Sequence, residues 1–364
     1  MAKKKLKIAV LFGGKSAEHE VSLRSAENVI NALNKNKYEV ILIGINKAGQ
    51  WILGDKGGKL LDKTNPKLYK LNTVNSDSVA LVPQGSGAIS NLSNVNSKNY
   101  IDVIFPVLHG PFGEDGTVQG MFKLANIPFV GASVLGSAVG MNKDTMKRLL
   151  RDADIPICKF ITLKHGEKIS FKKAKKKLGI PFFIKPANMG SSVGINKVKN
   201  KKDFDKAIEE AFKFDTKILI EEFINGREIE CSVLGNENPI ASVPGEVIVN
   251  DEFYSYNTKY IDENGATLEI PANLSQKTIK KIQQLSVKTF KVLNCEGFGR
   301  VDGFLTKNGK FYISEINTIP GFTSISMYPK LWEANGLPLP KLLDKLISLA
   351  IERFKREQKL KTSI

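Results

Sequence analysis

Four polar residues near the C-terminal end could act together if the chain reverses between them. Gly299-Arg-Val-Asp-Gly-Phe-Leu-Thr306 and Lys310-Phe-Tyr-Ile-Ser-Glu-Ile-Asn317 flank Asn308-Gly309. Asn-Gly is a preferred pair for a two-residue hairpin turn. Counting outward from it sets Lys307 against Lys310, Phe304 against Ile313, Asp302 against Glu315 and Arg300 against Asn317. Residues two apart share a face, so Arg300, Asp302, Glu315 and Asn317 project from one side. Opposed side chains have Cβ atoms ~4.5–5.5 Å apart. Two carboxylates at that spacing repel unless a cation lies between them. Two carboxylates and an amide oxygen are hard ligands suited to Mg²⁺ or Mn²⁺. Arg300 beside them would hold a further anion, a phosphate or a developing oxyanion. A solvated hairpin face fits less well, because Val301, Gly303, Phe304 and Ile316 make these strands read as buried.

Two weaker elements point the same way. Lys185 precedes the loop Gly190-Ser-Ser-Val-Gly194, where glycines let backbone N–H groups wrap phosphate oxygens and a strand-end lysine adds a point charge. Glu221-Glu222-Phe223-Ile224, with Glu228 after it, reads either as a strand edge able to face an adenine, with a later carboxylate for ribose hydroxyls, or as an ordinary acidic strand end. Gly14-Lys15-Ser16 imitates the tail of a P-loop, but Ala9 stands where that motif needs its first glycine.

The elements that must carry these residues are α/β. Ile8–Phe12 is a buried strand, Gly13-Gly14 a tight turn, Ser16–Leu33 a helix with Val21, Val29, Ile30 and Leu33 on one face, and Tyr38–Ile45 a second strand. That order predicts a right-handed crossover and a parallel sheet. Residues 46–100, rich in Gly, Asn, Ser and Lys, read as an insertion of short strands and loops. Tyr100–Leu108 reads as one strand leading into His109-Gly110-Pro111-Phe112-Gly113-Glu114-Asp115-Gly116; a helix starts over Val118–Leu124 and a short strand covers Ile127–Gly131. Further helices are expected over Asn142–Ala153, Lys202–Phe214 and Ser275–Leu293 and after Pro340. Strands are expected at Pro181–Lys185 and Lys217–Phe223 and near 228–234 and 240–249. Three lobes follow: 1–135, a parallel α/β domain with the insertion 46–100; 136–224; and 225–364, bearing the hairpin acids.

Composition narrows the class. The 364 residues are 42% hydrophobic and 25% charged, so a disordered chain is excluded. Lys+Arg 54 against Asp+Glu 37 gives +17, which allows an anionic partner. The lysines fall in runs that read as solvated faces, as at Lys172–Lys177, and no aromatic-basic RNA motif or zinc finger accompanies them, so no nucleic-acid partner is expected. Cys158, Cys231 and Cys295 are odd in number and far apart, which offers no disulfide framework and fits a reducing compartment. No apolar run approaches the ~18 residues of a membrane helix, and the start is too short for a signal-peptide core. A cytoplasmic protein without a membrane partner is expected.

Five phrases carry a resemblance: Leu11-Phe-Gly-Gly-Lys-Ser-Ala-Glu-His-Glu-Val-Ser22, Leu108-His-Gly-Pro-Phe-Gly-Glu-Asp-Gly-Thr-Val-Gln-Gly120, Lys185 to Gly194, Gly299-Arg-Val-Asp302, and Glu315-Ile-Asn-Thr-Ile-Pro-Gly-Phe-Thr-Ser324. In this order they resemble the ATP-grasp D-alanine–D-alanine ligases, over nearly the whole chain apart from 46–100. The resemblance implies a three-domain ATP-grasp fold and an ATP-driven ligation through a D-alanyl phosphate, serving peptidoglycan synthesis. It also implies the first substrate beside the lobe 1–135 and the metal and acceptor site in the lobe 225–364. It implies Lys143 and Lys185 on ATP phosphates, Glu222, Phe223 and Ile224 around adenine, and Glu228 on ribose. Asp302, Glu315 and Asn317 match the metal ligands, usually for two Mg²⁺, and Arg300 with the Gly321 backbone the groups that stabilise a tetrahedral intermediate. Glu18 matches the group on the first D-alanine's ammonium, with His109 nearby; Ser326 and Met327, where leucine is usual, match the second substrate's carboxylate site. Ser191, Tyr260 and Glu18 match a hydrogen-bonded triad closing a mobile loop over the site, with Lys259 and the aromatic stretch 247–260 in the lid; the resemblance also implies Ser191 and Lys259 among the residues that bind ATP. Relatives that make D-alanyl-D-lactate tend to differ at Tyr260, which implies an amine acceptor. A homodimer is implied as well.

Overall fold

The structure, a computed structural model, describes residues 4–54, 61–62, 70–71, 77–94, 98–249 and 266–361. The first segment carries β1 (Leu6–Gly13), α1 (His19–Ala32), β2 (Tyr38–Ile45), β3 (Trp51–Leu53), β4 (Leu61–Asp62), β5 (Lys70–Leu71), β6 (Asp77–Leu81), β7 (Ala88–Asn91), β8 (Lys98–Tyr100), β9 (Val103–Leu108), α2 (Thr117–Leu124) and α3 (Val134–Met141). Its main sheet runs β8-β7-β6-β3-β2-β1-β9. Only β2-β1-β9 is parallel; β3, β6, β7 and β8 add antiparallel neighbours, so much of 46–100 extends the sheet itself. The single strand expected over Tyr100–Leu108 is two strands at opposite edges. Between them Asp102 accepts from the Lys7 N–H at 2.7 Å. Ile127–Gly131 forms only a parallel bridge, Ile104 to Phe129.

Ile8 to Phe12 are wholly buried, as a strand covered on both faces requires. Their alternation sends Ile8, Val10 and Phe12 into one core and Ala9 and Leu11 into another. The first core is completed by Leu342, Leu346 and Ile347 from the chain's other end.

The middle segment carries α4 (Lys143–Asp152), β10 (Phe160–Lys164), α5 (Phe171–Leu178), β11 (Phe182–Pro186), β12 (Asn196–Val198), α6 (Lys201–Phe212) and β13 (Lys217–Glu222), with sheet order β10-β13-β11-β12. Phe182, Phe204, Ile218 and Ile220 give it a core of its own. The lysine run is α5: Ala174 and Leu178 face inward and the lysines stay in water.

The last segment carries β14 (Gly226–Gly235), β15 (Ile240–Ala241), β16 (Gly245–Val249), β17 (Ala266–Glu269), α7 (Gln276–Val292), β18 (Gly297–Thr306), β19 (Phe311–Asn317), α8 (Met327–Ala334) and α9 (Leu339–Glu357). Its sheet runs β17-β16-β14-β18-β19 with β15 on β14. Met146 and Leu150 of α4 share a core with Ile229, Val301 and Ile313, which binds the middle segment to this sheet.

Candidate active site

The hairpin of β18 and β19 pairs Asp302 with Glu315 and Arg300 with Asn317, as counted from the sequence, but by a different route. The turn is not two residues. Thr306 and Lys310 close the ladder, the Gly309 N–H donates to Thr306 O at 2.9 Å, and Gly309 has φ +74°. This is a three-residue loop ending in a left-handed glycine. Near the turn Phe304 therefore faces Tyr312, not Ile313, and Lys310 lies across from Thr306, not Lys307. A bulge between Asp302 and Gly303 then leaves Ser314 unpaired and shifts the register back by one. The two offsets cancel at the acids.

On that face Arg300 grips Asp302 with both ends of its fork, Nε to Oδ1 at 2.8 Å and Nη2 to Oδ2 at 2.7 Å. Asn317 Nδ2 donates to Asp302 Oδ2 at 2.9 Å. Glu315 lies 3.4 Å from the Lys143 ammonium. Among the described residues no ready-made group of three His, Cys, Asp or Glu side chains converges on one point. Arg300 and Lys143 instead act as internal counter-ions to the acids. The donor set, two carboxylates and an amide on one sheet face, fits a hard divalent cation.

Lys143 opens α4. Asn142 caps the helix, its side chain accepting from the Thr145 N–H at 2.9 Å, a contact worth ~1 kcal/mol. Lys143 then reaches across: its N–H donates to Ala187 O and its ammonium to Met189 O at 2.7 Å, at the base of the glycine loop. Lys185, one residue from the end of β11, lies 2.7 Å from Glu221. A fully buried Lys147 approaches the other Glu221 oxygen at 3.4 Å and Cys158 Sγ at 3.3 Å. Burial alone would raise the Glu221 pKa, but Lys147 and Lys185 outweigh it and hold the carboxylate below its usual range.

In the glycine loop Ser191 and Ser192 both have positive φ, +48° and +61°, a conformation L residues rarely hold. Ser191 Oγ donates to Glu18 Oε1. Glu18 stands just before α1, enclosed by two glycines. A Cβ on Gly110 would lie 3.0 Å from Glu18 Oε2, and one on Gly190 3.2 Å from it. The first and middle segments thus close on one carboxylate.

His109 is buried, with Nδ1 3.1 Å from Ile319 O and Nε2 without a hydrogen bond. Burial pushes its pKa down, against the pull of Glu18 and Ile319 O; Arg300 pushes it down further. Glu114 accepts from the Gly110 N–H at 2.7 Å and the Ile319 N–H at 3.2 Å, tying the 109–116 loop to the strand-exit loop after β19. Gly321 sits where a Cβ would meet Ser326 Oγ at 2.9 Å. Ser326, just before α8, receives the Thr323 N–H at 2.9 Å. Met327 turns into a cluster with Val247 and Leu331, so its side chain faces the core and its backbone opens α8.

Just past β13 Phe223 packs against Phe183, centroids 6.1 Å apart, with the Lys197 ammonium 5.2 Å from its ring. The Glu222 N–H is committed to Lys159 O at 2.9 Å, and its carboxylate accepts from the Lys159 N–H at 3.1 Å. Ile224 follows β13. Glu228 lies two residues before Glu230 on β14, hence on the same face. Lys259, Tyr260 and the stretch 250–260 of the expected lid lie outside the described residues.

Sequence reasoning assigned no role to Lys147, Glu114 or Glu230. Lys147 is one helical turn from Lys143, a spacing that shares a face. Glu230 is one strand period from Glu228. Glu114 gives no comparable signal, since its partners are backbone groups.

An acidic face suited to a divalent cation, opposite lysines at a glycine loop, equips an enzyme that handles nucleotide phosphates. The chain matches the D-ala D-ala ligase N-terminus family over residues 7–132 and the D-ala D-ala ligase C-terminus family over 149–348. It is 52% identical to a D-alanine–D-alanine ligase of Oceanobacillus iheyensis, over 99% of both chains. Its fold is similar to that of the D-alanine–D-alanine ligase of Coxiella burnetii (TM-score 0.87, 40% identity, 98% of this chain and 97% of that one). It is also similar to the VanG D-Ala:D-Ser ligase of Enterococcus faecalis (TM-score 0.84, 40% identity, 95% of this chain and 100% of that one). The chain belongs to the D-alanine–D-alanine ligase family.

Proposed function

We propose that the chain joins two D-alanine molecules with ATP, for peptidoglycan synthesis. A carboxylate oxygen of the first D-alanine attacks the γ-phosphorus, the bond to the bridging oxygen breaks, and ADP leaves. The neutral amine of the second attacks the carbonyl carbon of the D-alanyl phosphate; phosphate leaves, the nitrogen loses a proton, and D-alanyl-D-alanine remains. The observation that carries this reading is that Glu18, held by Ser191, and Arg300, held on Asp302, both act on the buried His109. A carboxylate fit for an ammonium and a guanidinium fit for a carbonyl oxygen thus lie within electrostatic reach of one histidine.

In this reading Lys143 and Lys185 hold phosphates, Phe223 and the chain around Ile224 line adenine, and Glu228 takes ribose. Arg300 and the Gly321 N–H face the tetrahedral carbon. His109 offers Nε2 to the first substrate, and Ser326 with the N–H of Met327 receives the second carboxylate. Tyr260 and Lys259 join the closure that keeps water from the acyl phosphate. Asp302, Glu315 and Asn317 would hold Mg²⁺ or Mn²⁺, two ions in all, whose charge offsets that of the phosphates. The divisions at 135/136 and 224/225 belong to this reading. So does a homodimer, supported by Met121, Leu124 and Leu135 exposed on adjoining helices α2 and α3. A cytoplasmic setting, where ATP is available, is also part of it; the three cysteines are free and buried, and among the described residues no helix is long and apolar enough to cross a membrane.

ATP-dependent phosphate release with D-alanine and Mg²⁺, and none with L-alanine, is the expected result; no release with D-alanine would refute the reading. The likeness to a D-Ala:D-Ser ligase makes acceptor choice worth measuring in the same assay. D-alanine is expected to outcompete D-serine and D-lactate at neutral pH.

A further inference from the structure

Registers across three strands set a row of acids that the hairpin alone does not show. β14 pairs with β18 so that Glu230 lies opposite Asp302, and β19 sets Glu315 on Asp302's other side. Directly opposed residues share a face, so three carboxylates stand side by side. Glu230 and Asp302 are 5% and 6% exposed, so water cannot disperse their charge. Arg300 separates them: its Nε and Nη2 donate to Asp302, and the same Nε forms an ion pair with Glu230 Oε2 at 2.9 Å, an oxygen that accepts no hydrogen bond.

One guanidinium therefore serves two carboxylates, of which only Asp302 belongs to the metal-fitting set. Oxygens of Asp302 that accept from Arg300 and Asn317 must be shared or released before a cation can draw on them. Were Asp302 the sole anchor of Arg300, that release would strip a buried guanidinium of its counter-ion. Glu230 removes the conflict. We propose that Glu230 is a positioning residue that tethers Arg300 by charge and takes over its Nε–H when Asp302 turns to a divalent cation, so that the guanidinium stays beside the reacting carbonyl. The proposal rests on the metal and oxyanion roles given above for Asp302 and Arg300.

Its test is Mn²⁺ titration of the ADP-bound protein, with free Mn²⁺ read by electron paramagnetic resonance. Glu230→Gln keeps the shape and removes the charge. It is expected to weaken Mn²⁺ binding about tenfold, the usual effect of losing an outer partner of a metal ligand, and to lower kcat. Glu230→Asp keeps the charge with a shorter reach. It is expected to recover most of the Mn²⁺ affinity but not kcat. Wild-type Mn²⁺ affinity and kcat in Glu230→Gln would overturn the proposal, as would equal losses in both variants accompanied by equal drops in Tm. If Glu230→Gln does not fold, the wild-type protein decides. The Arg300 Nε–H resonance, assigned through Arg300→Lys, is expected to stay protected from exchange when Mg²⁺ joins ADP; loss of that protection overturns the tether. Failure of the wild type to bind Mn²⁺ with ADP is a separate outcome, refuting the metal reading itself and this tether with it.

Discussion

Two largely enclosed charge clusters carry opposite balances. Around the hairpin, Glu230, Asp302 and Glu315 are set against Arg300 and Lys143, three negative charges to two positive. In the middle segment, Lys147 and Lys185 are set against Glu221, two positive charges to one negative. Neither imbalance is easily tolerated out of water, where an unpaired charge costs several kcal/mol. The first calls for a cation and the second for an anion. A nucleotide polyphosphate carrying a divalent cation satisfies both at once.

The strongest way to break the comparison is to empty the acidic side. Asp302→Ala removes the central carboxylate and leaves Arg300 with Glu230. Turnover is expected to fall at least about a thousandfold, ~4 kcal/mol in the barrier, with the circular dichroism spectrum and Tm near those of the wild type. A kcat within tenfold of wild type would show that the hairpin does not serve the phosphates.

The basic side should respond through the nucleotide. Lys185→Ala is expected to cost about a hundredfold in kcat/KM, ~3 kcal/mol, much of it as a raised KM for ATP with KM for D-alanine little changed. An unchanged KM for ATP would detach Lys185 from the phosphates. Lys147 should behave differently, because it is wholly buried and supports Glu221 from within. Lys147→Met is expected to lower stability by ~2 kcal/mol, less than the loss of a sole partner, since Glu221 keeps Lys185. Chemical denaturation measures it, and a stability equal to wild type would mean that Lys185 alone neutralises Glu221.

These clusters were unequally legible in the chain. The hairpin acids could be paired from sequence because a turn signal lay between them, yet the pairing held only through a three-residue loop and a compensating bulge at Ser314. No local pattern announces such a bulge; Gly303 permits it, packed where a Cβ would meet Tyr312 O at 2.5 Å. Lys185 and the glycine loop gave a weak signal that the family likeness sharpened. Glu230, about 70 residues upstream of Asp302, needed the β14–β18 register, which is a tertiary fact. The seven-stranded sheet was half legible: the parallel unit follows from apolar runs and glycine turns, while strands of two to five residues within 46–100 are too short to show a period. That α9 closes the first core could not be read from its own amphipathic pattern, which says that a face is buried but not against what.

The mildest test compares Glu221 with Glu114, a buried carboxylate served by two backbone N–H groups and no cation. Burial drives the Glu114 pKa up to about 8, aided by Glu18 and Glu315 and only partly offset by the Gly110 and Ile319 N–H groups. The same residue type thus moves in opposite directions according to whether lysines attend it. For Glu114 the folded state binds its proton more tightly than the unfolded chain between pH 4.5 and about 8. Stability from this group is greatest at the acid end and falls as pH rises through that window, by at most ~1.4 kcal/mol per pH unit. For Glu221 the sign reverses, and its contribution is lost only as pH falls below 4.5. In metal-free buffer Glu114→Gln is therefore expected to flatten the decline of Tm between pH 5 and 8, and Glu221→Gln to leave that slope alone. A Glu114→Gln profile parallel to the wild type would mean that another group carries the proton.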